Sequence, residues 1–411
     1  MAGEIMTTLN KHAAEVLHPH QLLAASHEIG IWLATEAAQW DLAGEPNLAA
    51  FDRIRTLRLG AMRVPRSLGG AGGRIRDVTA MIIALARGDS SVAQALLPHF
   101  VFVERTLLMA TPAQAADLLA QVASGALVGG ASAERGGKFR GEVRTLLAAS
   151  EGGYRLNGIK QYSTGALIGD LIKVLAVDEA GDSVLAVLPV GRAGIVRHND
   201  WNGLGQRGTV SGTTELQNVY VEEHEVMRVA RWQTERHHTG AASQIIHSAI
   251  EVGIALAALE DAASWARRGV RPVKESGVQR AQDDPYILQT LGQISAQAHA
   301  AEAFVLHAAE RIDAAADARY GAGDPAIVEK LAIDASIITA EAKAISTEAA
   351  LFAGQALFDV GGASTTLRSH NFDRHWRNAR THTTHDPVAY KYRVIGDYNL
   401  NGEPPPISYG Y

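Results

Sequence analysis

Along the first part of the chain, apolar residues recur every three or four positions. Between about 8 and 120, Leu, Ile and Met take that spacing within Ala-rich stretches, which predicts helices. The run VPRSLGGAGG at 64–73 interrupts them as a loop rich in Pro and Gly, and 77–87 and 91–109 read as the next two helices. Between about 126 and 228 the pattern shortens. The segments 171–177, 183–190 and 214–221 read as short strands rich in Val, Leu and Ile, at the spacing of a sandwich or barrel. EGGYRLNG (151–158) holds two turn signals, Gly152-Gly153 and Asn157-Gly158, and ELQNVYV (215–221) reads as a half-buried strand.

From about 235 helices return and lengthen. The stretch 239–268 has almost no breaker except Gly253. The next helix, 284–319, starts with Asp283 or Asp284 as N-cap and Pro285 in the first turn, and 324–360 starts the same way at Asp324 and Pro325. Leu331, Ile338, Ile345 and Phe352 recur every seven residues, which predicts a seam against neighbouring helices, and Gly361-Gly362 stops the run. The expected fold is therefore α+β, mainly α: an N-terminal helical domain (1–125), a small β-barrel or sandwich domain (126–232) and a C-terminal four-helix bundle (233–411).

Composition narrows the chemistry. The absence of cysteine excludes disulfides, thiolate nucleophiles, iron–sulfur clusters and cysteine-ligated zinc. A net charge of −6 argues against a general nucleic-acid binder. The apolar stretch 245–259 is broken by His247, Ser248 and Glu251, so no membrane-spanning segment is expected; nor is a secretory leader, which leaves the cytoplasm as the expected compartment. No Gly-x-Gly-x-x-Gly follows a strand, so no nicotinamide-binding βαβ unit is expected.

Specific segments carry a family likeness. GGYRLNGIKQYSTGALIGD (152–170), WNGLGQRGTVSGTTELQNVYV (201–221) and VGGASAERGG (128–137) resemble the flavin-binding segments of the acyl-CoA dehydrogenase superfamily. RPVKESGVQRAQDDPYILQTLG (271–292) and DRHWRNARTHTTHDPVAYKYRVIGDYNLNG (373–402) resemble the superfamily's flavin-dependent monooxygenase branch, typified by dibenzothiophene monooxygenase. Where a dehydrogenase has a catalytic Glu before Gly-Thr, this chain has Asp386 before Pro387.

The resemblance implies a two-component enzyme. A separate reductase supplies reduced FMN, with FAD as the other candidate flavin. Oxygen adds at the flavin C4a as a hydroperoxide, and a small aromatic, sulfur or nitrogen compound is oxygenated. A homotetramer and a role in sulfur metabolism are implied as well. His382 and His385 are the candidates for the proton donor beside the flavin, three residues apart and so on one face if that segment is helical. Read from residues alone, the two imidazoles also suit a helix cap or buried polar groups; a metal site is disfavoured, since there is no His-Glu-x-x-His and no third ligand.

By the same resemblance, Ser163 and Thr164 meet the N5 and O4 edge of the flavin, with Thr164 before Gly165 the better match. Ser132 touches the pyrimidine side, and Trp201 walls the ring. Arg207 and Ser211 hold the phosphate, and Arg271 reaches the phosphate of a neighbouring subunit. His99 and Phe100 line the substrate pocket or, equally, an interior helix face. Gly129-Gly130 replaces an Asn of the family pattern, which removes a polar contact there. The alternative function is an acyl-CoA dehydrogenase with Asp386 as its base.

Overall fold

In the computed structural model the described residues are 17–411 except Gly269, Ala322 and Tyr409; residues 8–16 of the expected first helical stretch lie outside them. Five helices come first: α1 (Pro19–Ala43), α2 (Leu48–Thr56), α3 (Ile75–Gly88), α4 (Ser90–Met109) and α5 (Pro112–Ala123). Their ends follow local chemistry. The Asp89 side chain caps α4 by accepting from Ser91 N at 2.8 Å. At α5, Thr111 and Gln114 form a reciprocal capping box.

Eight strands follow: β1 (Val128–Ala131), β2 (Leu146–Ser150), β3 (Gly153–Lys160), β4 (Leu171–Asp178), β5 (Ser183–Pro189), β6 (Ile195–Arg197), β7 (Thr214–Val221) and β8 (Val226–Arg228). They form one sheet in the order β6-β7-β3-β2-β4-β5-β8, with β1 parallel to the first half of β4. One face, with Leu171, Leu185 and Val187, packs on α4 and α5. The other face, with Ile172, Val174, Leu216, Val219 and Val221, packs on residues of the sheet region itself, so the sheet curls around its own apolar interior.

The Gly152-Gly153 signal is the β2–β3 turn, but Asn157-Gly158 is not a turn. It lies inside β3 at a bulge, where β7 carries one extra residue between Leu216 and Val219. Asn218 takes a positive φ there, and its N–H donates to Asn157 Oδ1 at 2.7 Å. The spacing of Leu216, Val219 and Val221 already breaks strict alternation in the sequence.

The C-terminal part consists of α6 (Thr239–Arg267), α7 (Pro285–Tyr320), α8 (Pro325–Gly361), α9 (Asp373–Thr383) and α10 (Val388–Asn401). Asp284 and Asp324 cap α7 and α8 as expected, accepting from Tyr286 N and Ala326 N. On α6 every residue from 239 to 256 is buried, because α3, α4, α7, α8 and α9 surround it. Length and composition would let α4 and α6 cross a membrane, but 78% and 83% of their apolar windows are buried within the chain.

The seven-residue seam on α8 needs correction. Its buried face is made of smaller residues, among them Ala335, Thr339, Ala342, Ser346, Ala349 and Ala353. Leu331, Ile338 and Phe352 only flank the core, and Ile345 is 39% exposed. Small side chains let α8 lie close against α6 and α7, which pushes the larger ones to the edge.

Gly253 answers the same need on α6. A Cβ there would lie 2.4 Å from the Ala86 Cβ and 2.8 Å from the α3 backbone. Gly253→Ala gains about 1 kcal/mol of helix propensity, yet the clash should lower unfolding stability by about 1–3 kcal/mol net. Urea denaturation checks this; an unchanged midpoint would mean that α3 and α6 can part at no cost.

Candidate functional site

The site begins with how α9 is held. Arg377 donates to Asp41 Oδ2 at 2.7 Å and to Asn371 Oδ1 at 2.8 Å, which fixes the helix to the end of α1. The same helix grips three consecutive backbone groups of the loop between β6 and β7. Arg377 Nη1 donates to Leu204 O (3.2 Å), Gly205 N donates to Thr381 Oγ1 (2.8 Å) and Gln206 N donates to Asn378 Oδ1 (2.7 Å). Asn378 Nδ2 donates to Ser90 Oγ on α4 at 3.1 Å. One turn past Asn378 stands His382.

The gripped loop and the 161–170 loop after β3, which it touches, are strained and have unfilled polar atoms. Tyr162, Gln206 and Val210 all have positive φ, at 54°, 54° and 46°; for a β-branched residue such as Val210 this is a true outlier. Hydroxyls link the two loops: Thr164 Oγ1 meets Ser211 Oγ at 2.8 Å, Ser211 Oγ meets Thr209 Oγ1 at 2.8 Å, and Thr209 Oγ1 donates to Gln206 O at 2.8 Å. Trp201, half-buried, donates from Nε1 to Gln206 O at 2.8 Å and stands edge-on to Tyr162. The Ser163 hydroxyl and both ends of the Gln206 side-chain amide are buried with no partner. Leaving such groups dry and unpaired costs about 1–3 kcal/mol each. A flavin ring edge, which offers N–H and C=O groups side by side, has the chemistry to fill them, so the residues present fit FMN.

The two predicted histidines do not share a helix face. α9 ends at Thr383 and Pro387 starts the next helix, so His382 lies in a last turn and His385 in the bend beyond it. His247 of α6 brings them together. Its Nδ1 is 3.0 Å from His382 Nε2, and its ring stacks on that of His385 with centroids 4.3 Å apart. His382 is buried, and burial pushes its pKa down to about 4 against the opposing bond to Glu251. The His385 side chain is 51% exposed, and its Nδ1 donates to Asp386 Oδ2 at 3.2 Å. Burial opposes ionisation of Asp386, but the His385 bond and charge hold it well below the usual carboxylate range. Gln244 Nε2 also donates to Asp386 Oδ2, at 2.7 Å.

The remaining predicted residues have other surroundings. Ser132 is half-buried at the end of β1, where its carbonyl accepts from Lys160 Nζ at 3.3 Å. Arg207 donates from Nη1 to Asp41 O (2.9 Å) and Leu42 O (3.3 Å), capping free carbonyls of α1. Arg271 is exposed between α6 and α7. His99 is fully buried: its Nδ1 accepts from Val128 N at 3.2 Å and its Nε2 bonds Gly60 O at 2.9 Å, which ties α4 to β1 with Phe100 packed beside it. Burial holds His99 near a pKa of about 4. Gly129 and Gly130 sit where a Cβ would lie 2.6 Å from Ala166 Cα and 2.9 Å from Pro98 Cβ, so no Asn fits either position.

The sequence reading missed His247, Glu251, Lys343 and Asn378 as site residues. The signal for two of them was present. His247 and Glu251 share one face of α6 with Gln244 at three- and four-residue spacing, and were noted only as breaks in an apolar stretch.

Comparison with known proteins identifies the family. Residues 32–126 match the model of the acyl-CoA dehydrogenase N-terminal domain, and residues 245–389 match that of the C-terminal domain. A dibenzothiophene monooxygenase from Mycolicibacterium goodii is 34% identical over 89% of this chain and 90% of its own length. A probable FMNH2-dependent monooxygenase from Pseudomonas putida is 30% identical over 95% of this chain and 98% of its own. The FMN-bound crystal structure of TdsC from Paenibacillus sp. A11-2 superposes with a TM-score of 0.88 at 29% identity, covering 95% of this chain and 100% of that one. The chain belongs to the acyl-CoA dehydrogenase family, in the branch of the flavin-dependent monooxygenases.

Proposed function

We propose that this chain uses reduced FMN and O2 to oxygenate a small aromatic or heteroatom compound, with the sulfur of dibenzothiophene as the leading candidate target. The observation that carries this reading is the meeting at α9 of an imidazole cluster with loops whose buried polar atoms lack protein partners. A separate reductase supplies the flavin, and the working form is a cytoplasmic homotetramer. The division into residues 1–125, 126–232 and 233–411 belongs to the same proposal.

Bound reduced FMN supplies the electrons that activate oxygen. The residues do the rest. The Ser163 hydroxyl donates to the ring edge, held in place because its own N–H is taken by Gly212 O at 2.8 Å. Thr164 and Ser211 brace that hydroxyl's loop, and Trp201 walls the ring and excludes water. His385 is the proton donor in its imidazolium form: Asp386 holds the Nδ1 proton and balances the charge, which leaves the Nε2 proton for the reacting side. His382 holds His247 from behind. Ser132 lies on the pyrimidine side, and exposed Arg271 reaches a neighbour's phosphate. The dehydrogenase alternative would need Asp386 as a free base, yet its Oδ2 already accepts from Gln244 and His385.

With dibenzothiophene, reduced FMN and labelled O2, each product molecule should gain labelled oxygen, read by mass spectrometry; product carrying oxygen from water instead would overturn the reading. His385→Ala should abolish product while FMN still binds, and full activity of that variant would remove His385 from its role. Ser163→Ala should weaken FMN binding about tenfold, ~1.4 kcal/mol, measured by fluorescence titration. Asn378→Ala strands the Gln206 N–H and should cost about 1–3 kcal/mol of stability, read by chemical denaturation.

A further inference from the structure

The polar chain does not end at His382. Glu251 on α6 is fully buried, and both of its oxygens are filled. Oε1 accepts from the Lys343 ammonium and from His382 Nδ1 at 3.0 Å. Oε2 accepts from Ser346 Oγ at 2.8 Å and Thr347 Oγ1 at 2.9 Å. Lys343, Ser346 and Thr347 lie on one face of α8, as Gln244, His247 and Glu251 do on α6. Burial opposes the charge on Glu251, but Lys343 and the His382 bond outweigh it and hold the carboxyl at about 2.

The protons follow in sequence from this carboxylate. An ionised carboxylate only accepts, so His382 Nδ1 carries a proton. The His382 ring is neutral at pH 7, so its Nε2 is bare. The atom 3.0 Å from that bare nitrogen is His247 Nδ1, which must therefore be the protonated nitrogen of its ring. Burial, then His385 and His382, push His247 well below its ordinary pKa, so it too is neutral and its Nε2 is bare. That Nε2 has no hydrogen-bond partner among the described residues, and the ring that carries it stacks on half-exposed His385.

We propose that Glu251 is a positioning residue which, through His382, fixes the tautomers of two imidazoles in series, so that His247 presents a bare Nε2 as a proton acceptor beside His385. The inference deepens the monooxygenase reading and rests on it for what the acceptor serves. An O–H group brought beside His385 would donate to this nitrogen and pass it the proton, keeping the bonding electron pair on its oxygen. The imidazolium then formed lies in series with the Glu251 carboxylate through His382, while the Lys343 charge opposes it and Glu251 itself stays ionised beside Lys343. Asp386 adds a second negative charge on the open side, and Arg140, 3.6 Å from Asp386, tempers it. His385 and His247 thus divide the work: the exposed ring gives a proton and the buried one receives it.

The test uses the full-length protein in two ways. In flavin-free protein labelled with 15N-histidine, NMR at pH 7 should show His382 and His247 both neutral, protonated at Nδ1 and bare at Nε2. The double variant Glu251→Met with Lys343→Met removes the carboxylate without leaving a lone buried charge. It should fold, bind FMN as before, lose the single tautomer of both rings, and show kcat lower by on the order of 10- to 100-fold with KM little changed. His382→Gln, whose amide can donate to Glu251 and accept from His247, should keep more of kcat than His382→Leu. Nε2-protonated rings in the wild type, or native kcat in the double variant, would overturn the proposal. If the wild type transfers no oxygen at all, the monooxygenase reading falls, while the NMR result still decides the proton order.

Discussion

One side-chain amide joins the three parts of this molecule. Asn378 accepts from the Gln206 N–H of the β region, donates to Ser90 at the start of α4, and belongs to the C-terminal helix that carries His382. Its amide oxygen and nitrogen each fill a buried partner, so its orientation is fixed from both sides. The strained Gln206 backbone persists because α9 holds its neighbours as well, through Arg377 and Thr381. The loop that bears Trp201 and the helix that bears His382 are thereby set relative to each other before any ligand arrives.

The architecture was legible where local chemistry decides it. Asp284 and Asp324 cap their helices, Gly362 ends α8, and the change of period near residue 126 marks the entry into the sheet. It was illegible where packing overrides pattern. A seven-residue repeat of large side chains on α8 looked like the seam, yet the Ala and Ser positions make the close contact because neighbouring helices approach too near for Leu or Phe. Asn157-Gly158 has turn chemistry, but a strand with a bulge opposite uses it inside the sheet.

The site was legible only in part, for a related reason. His382 and His385 stand out because they are close in sequence. Their link is His247, about 135 residues earlier on another helix, and spacing carries no trace of a contact made by folding. Arg207 shows the converse. Its place in the motif suggested a phosphate, and folding adds what the motif does not show: its Nη1 caps the open carbonyls at the end of α1. What a sequence can offer in such cases is a mismatch of type and place, such as Glu251 in the largely apolar stretch 245–259.

The Gly129-Gly130 strip carries a consequence of another kind. With Pro98 and Ala166 pressed against it, the wall at β1 is bare backbone, and no side chain can be added there unless α4 or the 164–166 turn changes first. A side chain could enter this strip only together with a compensating change in α4 or in the 164–166 turn, so chemical variety at this edge of the sheet is left to the residues around it.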